Sequence, residues 1–143
     1  MALPPKLART VTLFQGAPKD LKLAALLEYS RKVPPLPARY AEHPEALERV
    51  TECQTPFFLA AEVADDQRVS IVFDCPPEAP TTRGFAGILA DGLEGATAGE
   101  ILAVPDDFYT AMGLDEAVSS LRLRGMSAIM GRLKRQVRER AAA

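Results

Sequence analysis

Cys53 is the residue in this chain whose type and surroundings best suit covalent chemistry. Its nearest neighbours are all polar or charged, namely Thr51, Glu52, Gln54 and Thr55, so the sequence predicts a loop here rather than a core position. A free cysteine in a core is usually an inert apolar residue, whereas a loop cysteine without a nearby disulfide partner is typical of reactive thiols. Cys53 is therefore the candidate nucleophile, and an inert structural cysteine is the alternative.

Few other side chains could share a site with Cys53. A nucleophilic cysteine of the protease type needs a histidine base, and the only histidine, His43, lies in a stretch typical of a solvated loop. A zinc site needs about four ligands. Cys53, Cys75, His43 and Asp74 could supply them, but no pair has the close Cys-x-x-Cys spacing. Cys75 is also expected near an end of the predicted sheet, so a regulatory disulfide with Cys53 stays open beside an incidental cysteine.

The last predicted helix carries a cluster of basic residues. Between Arg122 and Arg140 there are seven basic residues and one acid, Glu139. A solvated helix face that complements the C-terminal dipole accounts for most of them. Nucleic-acid binding is disfavoured because the charge is confined to one helix without interleaved aromatic residues. Arg122 and Arg124 differ from the rest, since a fixed positive charge at the helix start could lower a thiol pKa or dock an acidic partner.

Size and composition indicate one soluble domain. The chain has 143 residues, of which 48% are hydrophobic and 25% charged, and this is enough for a core of its own. The net charge of -2 gives no reason to expect nucleic acid or an anionic membrane as partner. No apolar run reaches the roughly 18–20 residues that cross a bilayer, and residues 1–14 do not resemble a signal peptide. Two cysteines are too few for a disulfide scaffold, so we expect a cytoplasmic protein with reduced thiols.

Hydrophobic periodicity and turn residues predict the elements that hold Cys53 in place. Prolines and Gly16 suggest a loosely attached arm over residues 1–17, which leaves 18–143 as a single domain. In the first helix we expect Leu23, Leu26 and Leu27 inside and Lys22 outside. The predicted elements of the first half are a helix over 18–32, short helical pieces over 38–48, strands over 47–51, 55–63 and 68–73, and a hairpin turn over 64–67.

The second half of the chain has helical periodicity. Thr97 and Glu100 have the spacing of a capping box, and Gly84 and Gly87 leave a narrow helix face where another backbone could approach closely. The predicted helices cover residues 81–93, 97–102, 106–112 and 119–140. A helix, then a hairpin, then several helices predicts an α+β fold with a small, about three-stranded antiparallel sheet packed against helices.

Four motifs around Cys53 resemble, in order, those of the SufE family of sulfur-acceptor proteins. The stretch V-T-E-C-Q-T over residues 50–55 is similar to the family's V-x-G-C-x-S signature, with Glu52 in place of the glycine. Residues 78–84 resemble its S-D-A-x-x-x-(K/R)-G segment, 97–102 its T-P-x-x-I/L helix start, and 122–126 its R-x-x-G-L/M helix start. The resemblance covers roughly residues 18–140.

This resemblance implies a fold like that of SufE and IscU proteins and a role in sulfur relay. A pyridoxal-phosphate-dependent, SufS-like cysteine desulfurase would hold sulfur as a persulfide. Cys53 would accept that sulfur by thiol exchange and pass it to an iron–sulfur cluster scaffold. The chain would then be a persulfide-carrying activator of the desulfurase rather than an enzyme, with no cofactor and no metal. Arg122 would steady the thiolate or the loop, and Glu78 and Arg83 would be charges that face the partner.

Two structural expectations and one alternative accompany this interpretation. We expect the Phe57–Phe58 side and the Gly84/Gly87 helix to form a recess that shelters the sulfur, and Glu52 to raise the thiol pKa. The alternative is a metal-binding scaffold that assembles clusters itself, although such scaffolds use more cysteines than the two present here. The identity of the desulfurase, the final sulfur acceptor, the role of Cys75 and the choice between monomer and homodimer stay open.

Overall fold

The computed structural model of the chain describes residues 3–142. Its helices are α1 (Pro5–Gln15), α2 (Lys19–Ser30), α3 (Ala38–Ala41), α4 (Pro80–Gly92), α5 (Ala98–Leu102) and α6 (Ser120–Ala142). Its strands are β1 (Glu48–Arg49), β2 (Phe58–Val63) and β3 (Val69–Asp74), and 3₁₀ turns lie at Pro44–Ala46, Phe108–Thr110 and Leu114–Glu116. The predicted α+β class is confirmed.

In the described part of the chain the sheet has three antiparallel strands in the order β1-β2-β3. The hairpin of β2 and β3 pairs along its whole length, but β1 reaches only as far as Glu48 opposite Leu59. Beyond that point the Ala61 N–H donates instead to the buried side chain of Gln136 on α6, at 2.9 Å. A single side chain therefore joins α6 to the edge of β2 where β1 has ended.

Helix α4 lies against α2 at very close range. A Cβ atom added to Gly84 would lie 2.3 Å from the Leu26 carbonyl oxygen, and one added to Gly87 would lie 1.8 Å from that of Tyr29. Glycine is required at both positions because the α2 backbone occupies the space of a side chain. The predicted close approach at these two glycines is therefore confirmed, with α2 as the neighbour.

Helix α2 turns a different face to the core than its leucines predict. Leu26 is buried, but Leu23 and Leu27 are 39% and 45% exposed, whereas Lys22 is buried. The Lys22 ammonium group donates to the Ala17 carbonyl at 2.5 Å. An aliphatic lysine stem can be buried when its charged end finds an acceptor. The hydrophobic periodicity of α2 counted Lys22 as a solvent-facing residue, so it predicted the wrong buried face for this helix.

The N-terminal segment is helical and packed. Helix α1 begins at Pro5, where proline is favoured because its missing N–H would be unpaired in any case. Leu7, Val11 and Phe14 are buried. The loose arm expected over residues 1–17 is thus wrong for α1, because the prolines mark a helix start rather than a loop. The domain division itself stays a prediction, and the first two residues lie outside the described part.

Helix α6 supplies much of the core beneath the sheet. Its buried apolar residues are Met126, Ile129, Met130, Leu133 and Val137. The capping box that starts α5 is also present in both of its arms. Within residues 3–142 no helix is both long and apolar enough to cross a membrane.

Candidate functional site

Cys53 lies in the loop between β1 and β2, as predicted. Its backbone N–H donates to the Val50 carbonyl at 3.2 Å, and the Val50 N–H donates to the Phe57 carbonyl at 2.8 Å. Val50 and Phe57 are fully buried, so both ends of the loop are anchored in the core. The Cys53 side chain is half-buried between these anchors.

Cys53 lines a small recess at the start of α6. The recess is formed by Cys53, Gln54, Thr55, Thr82, Leu121, Arg122 and Gly125. Its volume is about 40 Å³, and by the same measure one water molecule needs roughly 10–15 Å³. There is room for a few atoms beside the thiol but not for a metabolite-sized substrate.

Gly125 allows the thiol to rest directly on α6. A Cβ atom added to this buried glycine would lie 3.1 Å from the Cys53 sulfur and 4.0 Å from the Glu52 carbonyl oxygen. The first of these distances is tighter than an ordinary van der Waals contact, so a side chain here would press on the cysteine. The R-x-x-G spacing therefore sets a glycine beneath the thiol and Arg122 at the edge of the recess.

The resting thiol is a weak nucleophile. Partial burial is the largest cause that raises the pKa of Cys53 to about 11, followed by the charge of Glu52 and the proximity of Cys75, while Arg132 acts in the opposite direction. The expectation that Glu52 raises the thiol pKa is confirmed, although burial contributes more. At neutral pH the cysteine is almost entirely protonated, and only the thiolate attacks sulfur.

Arg132 on α6 ties the loop to the helix. Its guanidinium group donates to the Glu52 carboxylate at 2.8 and 3.1 Å and to the Thr51 hydroxyl at 3.1 Å. The same group donates to the Glu48 carboxylate at 2.8 Å. The hydrogen bonds from Arg132 lower the pKa of Glu52, so this carboxylate stays ionised beside Cys53.

Glu48 connects this cluster to the sheet. Its carboxylate accepts hydrogen bonds from Arg132, Arg135 and Gln136, all on α6. Burial acts to raise the pKa of Glu48, but these three donors together bring it below its usual value. Arg135 also pairs with Glu139 at 3.3 Å, so it is not simply a solvated charge. The α6 side chains thus hold β1 and the loop that follows it in one arrangement.

The predicted supporting residues take different positions. Arg122 is exposed and lines the recess, so the structure brings it together with Cys53. Glu78 is exposed just before α4. Arg83 is half-buried and donates to the Cys75 carbonyl at 2.6 Å. Its guanidinium group thus braces the end of β3, and its expected partner-facing role stays a prediction.

The recess has other walls than expected. Phe57 is fully buried rather than open to the thiol, and the space beside Gly84 and Gly87 is filled by α2. The recess is instead enclosed by the first turns of α6 and by Thr82. The prediction that Phe57–Phe58 and the Gly84/Gly87 helix form the recess is thus wrong. The two glycines allow α4 to pack against α2 and leave no open space beside the thiol.

The remaining candidates do not gather around Cys53 as a catalytic or metal site. Cys75 is a buried free thiol in the hydrophobic core against which Cys53 packs. Burial is the main cause that raises the pKa of Cys75. His43 is exposed and lies 3.1 Å from Glu45, and it is not part of the recess. Within residues 3–142 no three Cys, His, Asp or Glu side chains are grouped so that they could hold a metal ion.

Sequence reasoning missed Thr82 and Arg132 as site residues and treated Gly125 only as part of a motif. Arg132 follows Gly125 by seven residues, which is about two helical turns, so both lie on the same face of α6. Glu52 is an acid beside the key cysteine and so needs a counter-charge. Together these two signals could have pointed to Arg132, whereas no local pattern singled out Thr82.

Comparisons with known proteins show the family to which the chain is similar. The family described as SufE, Fe-S metabolism associated domain, matches residues 8–137. An uncharacterized SufE-like protein of Mycobacterium tuberculosis strain H37Rv is 51% identical over 138 residues, which cover 96% of this chain and 95% of that protein. The cysteine desulfuration protein SufE of Plasmodium falciparum is 30% identical over 136 residues, covering 92% of this chain but 53% of that protein. The solution structure of a hypothetical protein from Thermus thermophilus is 46% identical, with a TM-score of 0.86 and 99% coverage of both chains.

Proposed function

This chain belongs to the SufE family of iron–sulfur metabolism, and from that premise we propose that it accepts persulfide sulfur from a cysteine desulfurase onto Cys53. The chain then delivers this sulfur to a scaffold that builds iron–sulfur clusters. By removing sulfur from the desulfurase it stimulates turnover of that enzyme. The chain itself acts as a carrier that needs neither a cofactor nor a metal ion for the transfer.

The transfer is a thiol exchange. The Cys53 thiolate attacks the outer sulfur of the desulfurase persulfide, a new S–S bond forms at the Cys53 sulfur, and the S–S bond of the desulfurase breaks. The desulfurase cysteine leaves as a thiolate, and the hydrogen on the outer sulfur stays with that sulfur. One sulfur atom has moved without net oxidation or reduction, so no other reactant is required.

The observation that carries this proposal is a half-buried thiol beside a recess of about 40 Å³. One additional sulfur atom fits such a space, whereas a metabolite does not. Partial burial also supports the storage of a persulfide, because exposed thiolates are readily oxidised. Arg122 at the edge of the recess offers a positive charge to the thiolate or the persulfide.

We place the docking surface of the desulfurase around the open side of the recess. Leu121 is 41% exposed there, and Arg122 and Arg124 are exposed beside it. An apolar side chain among positive charges suits a partner that offers a small apolar contact and acidic groups around its persulfide. Glu78, which is exposed before α4, is a further candidate contact. The free thiols favour a reducing compartment such as the cytoplasm.

Mass spectrometry of the protein after incubation with a desulfurase and L-cysteine tests the proposal. We expect one added sulfur atom on the peptide that contains Cys53, in the wild type and in Cys75→Ser but not in Cys53→Ser. The desulfurase must be shown to be active on its own. If an active cognate desulfurase leaves Cys53 without added sulfur, the carrier function is wrong.

A further inference from the structure

We propose that Arg132 is a positioning residue for this transfer, which holds the Cys53 loop against α6 through Glu52 and Thr51 until a partner docks. The inference deepens the proposed function and rests on it for its biological consequence. The tether itself is a property of this chain, and it can be measured without a desulfurase.

The contacts of Arg132 are those of a clamp. Its guanidinium group reaches Glu52 and Thr51, the two residues that precede Cys53, at 2.8–3.1 Å. Its third nitrogen is held at 2.8 Å by Glu48, which belongs to β1. Within residues 3–142 the side-chain hydrogen bonds that join the loop to α6 are those from Arg132 to Glu52 and Thr51. The planar guanidinium fork is well suited to hold several acceptors in one fixed geometry.

The clamp is placed where it can be released. The side chains of Arg132 and Glu52 are 27% and 40% exposed, so water, salt and the groups of a docking partner can reach the pair. The other anchors of the loop are its buried ends at Val50 and Phe57 and the backbone hydrogen bond from the Cys53 N–H to the Val50 carbonyl. Loss of the Arg132–Glu52 contact would therefore leave the cysteine held by one local backbone hydrogen bond and by its partial burial, so that it could leave the recess while the strands stay in place.

The charges around the thiol determine whether replacement of Arg132 speeds or slows the reactions of Cys53. Glu52 faces it from the loop, Arg132 and Arg122 face it from α6, and Cys75 lies at the end of β3. Removing the positive charge of Arg132 would by itself raise the pKa of Cys53 and slow its reactions. Release of the loop would lower that pKa, because burial is its largest cause. A tether therefore predicts faster thiol chemistry in the variant, and a purely electrostatic role predicts slower chemistry.

The experiment measures the rate of Cys53 alkylation by iodoacetamide as a function of pH, resolved by peptide mass spectrometry so that Cys75 is scored separately. The variants are Arg132→Gln and Glu52→Gln, which each break the same contact. Arg135→Gln is the matched control, because Arg135 also binds Glu48 from α6 but does not contact the loop. Arg132→Lys tests whether charge without the fork is sufficient.

We expect Arg132→Gln and Glu52→Gln to be alkylated faster at pH 8 and to reach their plateau at lower pH. A fall of one pKa unit gives ten times more thiolate, and the weaker nucleophile reduces the net gain to roughly threefold to fourfold. Because loss of the Glu52 charge by itself lowers the pKa of Cys53, Arg132→Gln is the variant that decides. An acceleration of at least about threefold in Arg132→Gln, absent in Arg135→Gln, would support the tether. A smaller change or a slower reaction in Arg132→Gln would overturn it.

A salt titration of the wild-type protein, compared with that of Arg132→Gln, gives a second test. At about 1 M sodium chloride the Debye length is about 3 Å, so a partly exposed ion pair is weakened. Alkylation of wild-type Cys53 should then accelerate more than that of Arg132→Gln, which keeps the Glu52 charge but already lacks the contact. Sulfur transfer measured in parallel separates the two claims. Faster alkylation without sulfur acceptance would contradict the proposed function alone, and normal transfer with an unshifted Arg132→Gln profile would contradict the tether alone.

Discussion

Replacement of Gly125 by alanine should impair sulfur acceptance without weakening the fold. Gly125 lies inside α6, where alanine is favoured over glycine by about 1 kcal/mol. The added Cβ would lie 3.1 Å from the Cys53 sulfur, which belongs to a loop and can move by a few tenths of an ångström. We expect the free energy of unfolding to stay within about 1 kcal/mol of the wild type or to rise slightly.

The same methyl group fills part of the recess of about 40 Å³ that would hold the transferred sulfur. Because reacting groups displaced by about 1 Å can lose up to about 10²-fold in rate, we expect sulfur acceptance to fall by roughly tenfold or more. The assays are urea unfolding for stability and the time course of added sulfur on Cys53 for function.

Gly87→Ala is the matched control on another helix. Its Cβ would lie 1.8 Å from the Tyr29 carbonyl oxygen, which is backbone and cannot move aside, so we expect a loss of about 2–3 kcal/mol in stability. If Gly125→Ala accepts sulfur at the wild-type rate, the recess does not hold the sulfur. If Gly125→Ala is destabilised as much as Gly87→Ala, the argument that the Cys53 loop can move away from an added methyl group, whereas the Tyr29 backbone cannot, is wrong.

Three more results are expected. Gln136→Leu leaves the Ala61 N–H without its acceptor and should lower the free energy of unfolding by about 1–3 kcal/mol, and an unchanged urea midpoint would contradict this. Because the pKa of Glu48 is lower in the fold than its ordinary 4.5, its stabilisation is present above that pH and is lost as the pH falls through the folded value. Glu48→Gln should therefore reduce the loss of stability between pH 7 and pH 3 seen by urea unfolding, and an equal loss would count against it. Since the pKa of Cys53 is raised to about 11, wild-type alkylation should still rise by about tenfold per pH unit near pH 9, and a plateau at that pH would disprove the burial argument.

Features that depend on neighbours in sequence could be predicted. The polar residues around Cys53 indicated its loop, and the turn residues after β2 indicated the hairpin. Thr97 and Glu100 form both arms of the predicted capping box. In each case the hydrogen bonds or the periodicity join residues a few positions apart, so the local pattern contains the necessary information.

Features that depend on distant contacts could not be predicted in the same way. Arg132 and Glu52 are 80 positions apart. Their contact could be inferred only by combining two segments, the acid beside Cys53 and the basic residue two helical turns after Gly125. Lys22 is buried because Ala17 offers a carbonyl to its ammonium group, a condition that hydropathy does not record. The prolines at the start of α1 fit a loop and a helix start equally well, and packing of Phe14 into the core decides between them.

Direct observation of the sulfur atom in a single turnover tests the central claim most directly. A desulfurase is loaded with radioactive sulfur from labelled L-cysteine, freed of the excess amino acid and mixed with this protein. The relay predicts that the label leaves the desulfurase and appears on this chain in a form released by a thiol reductant, in the wild type and in Cys75→Ser but not in Cys53→Ser. Label that stays on the desulfurase, or that reaches Cys53→Ser equally well, would contradict a relay through Cys53.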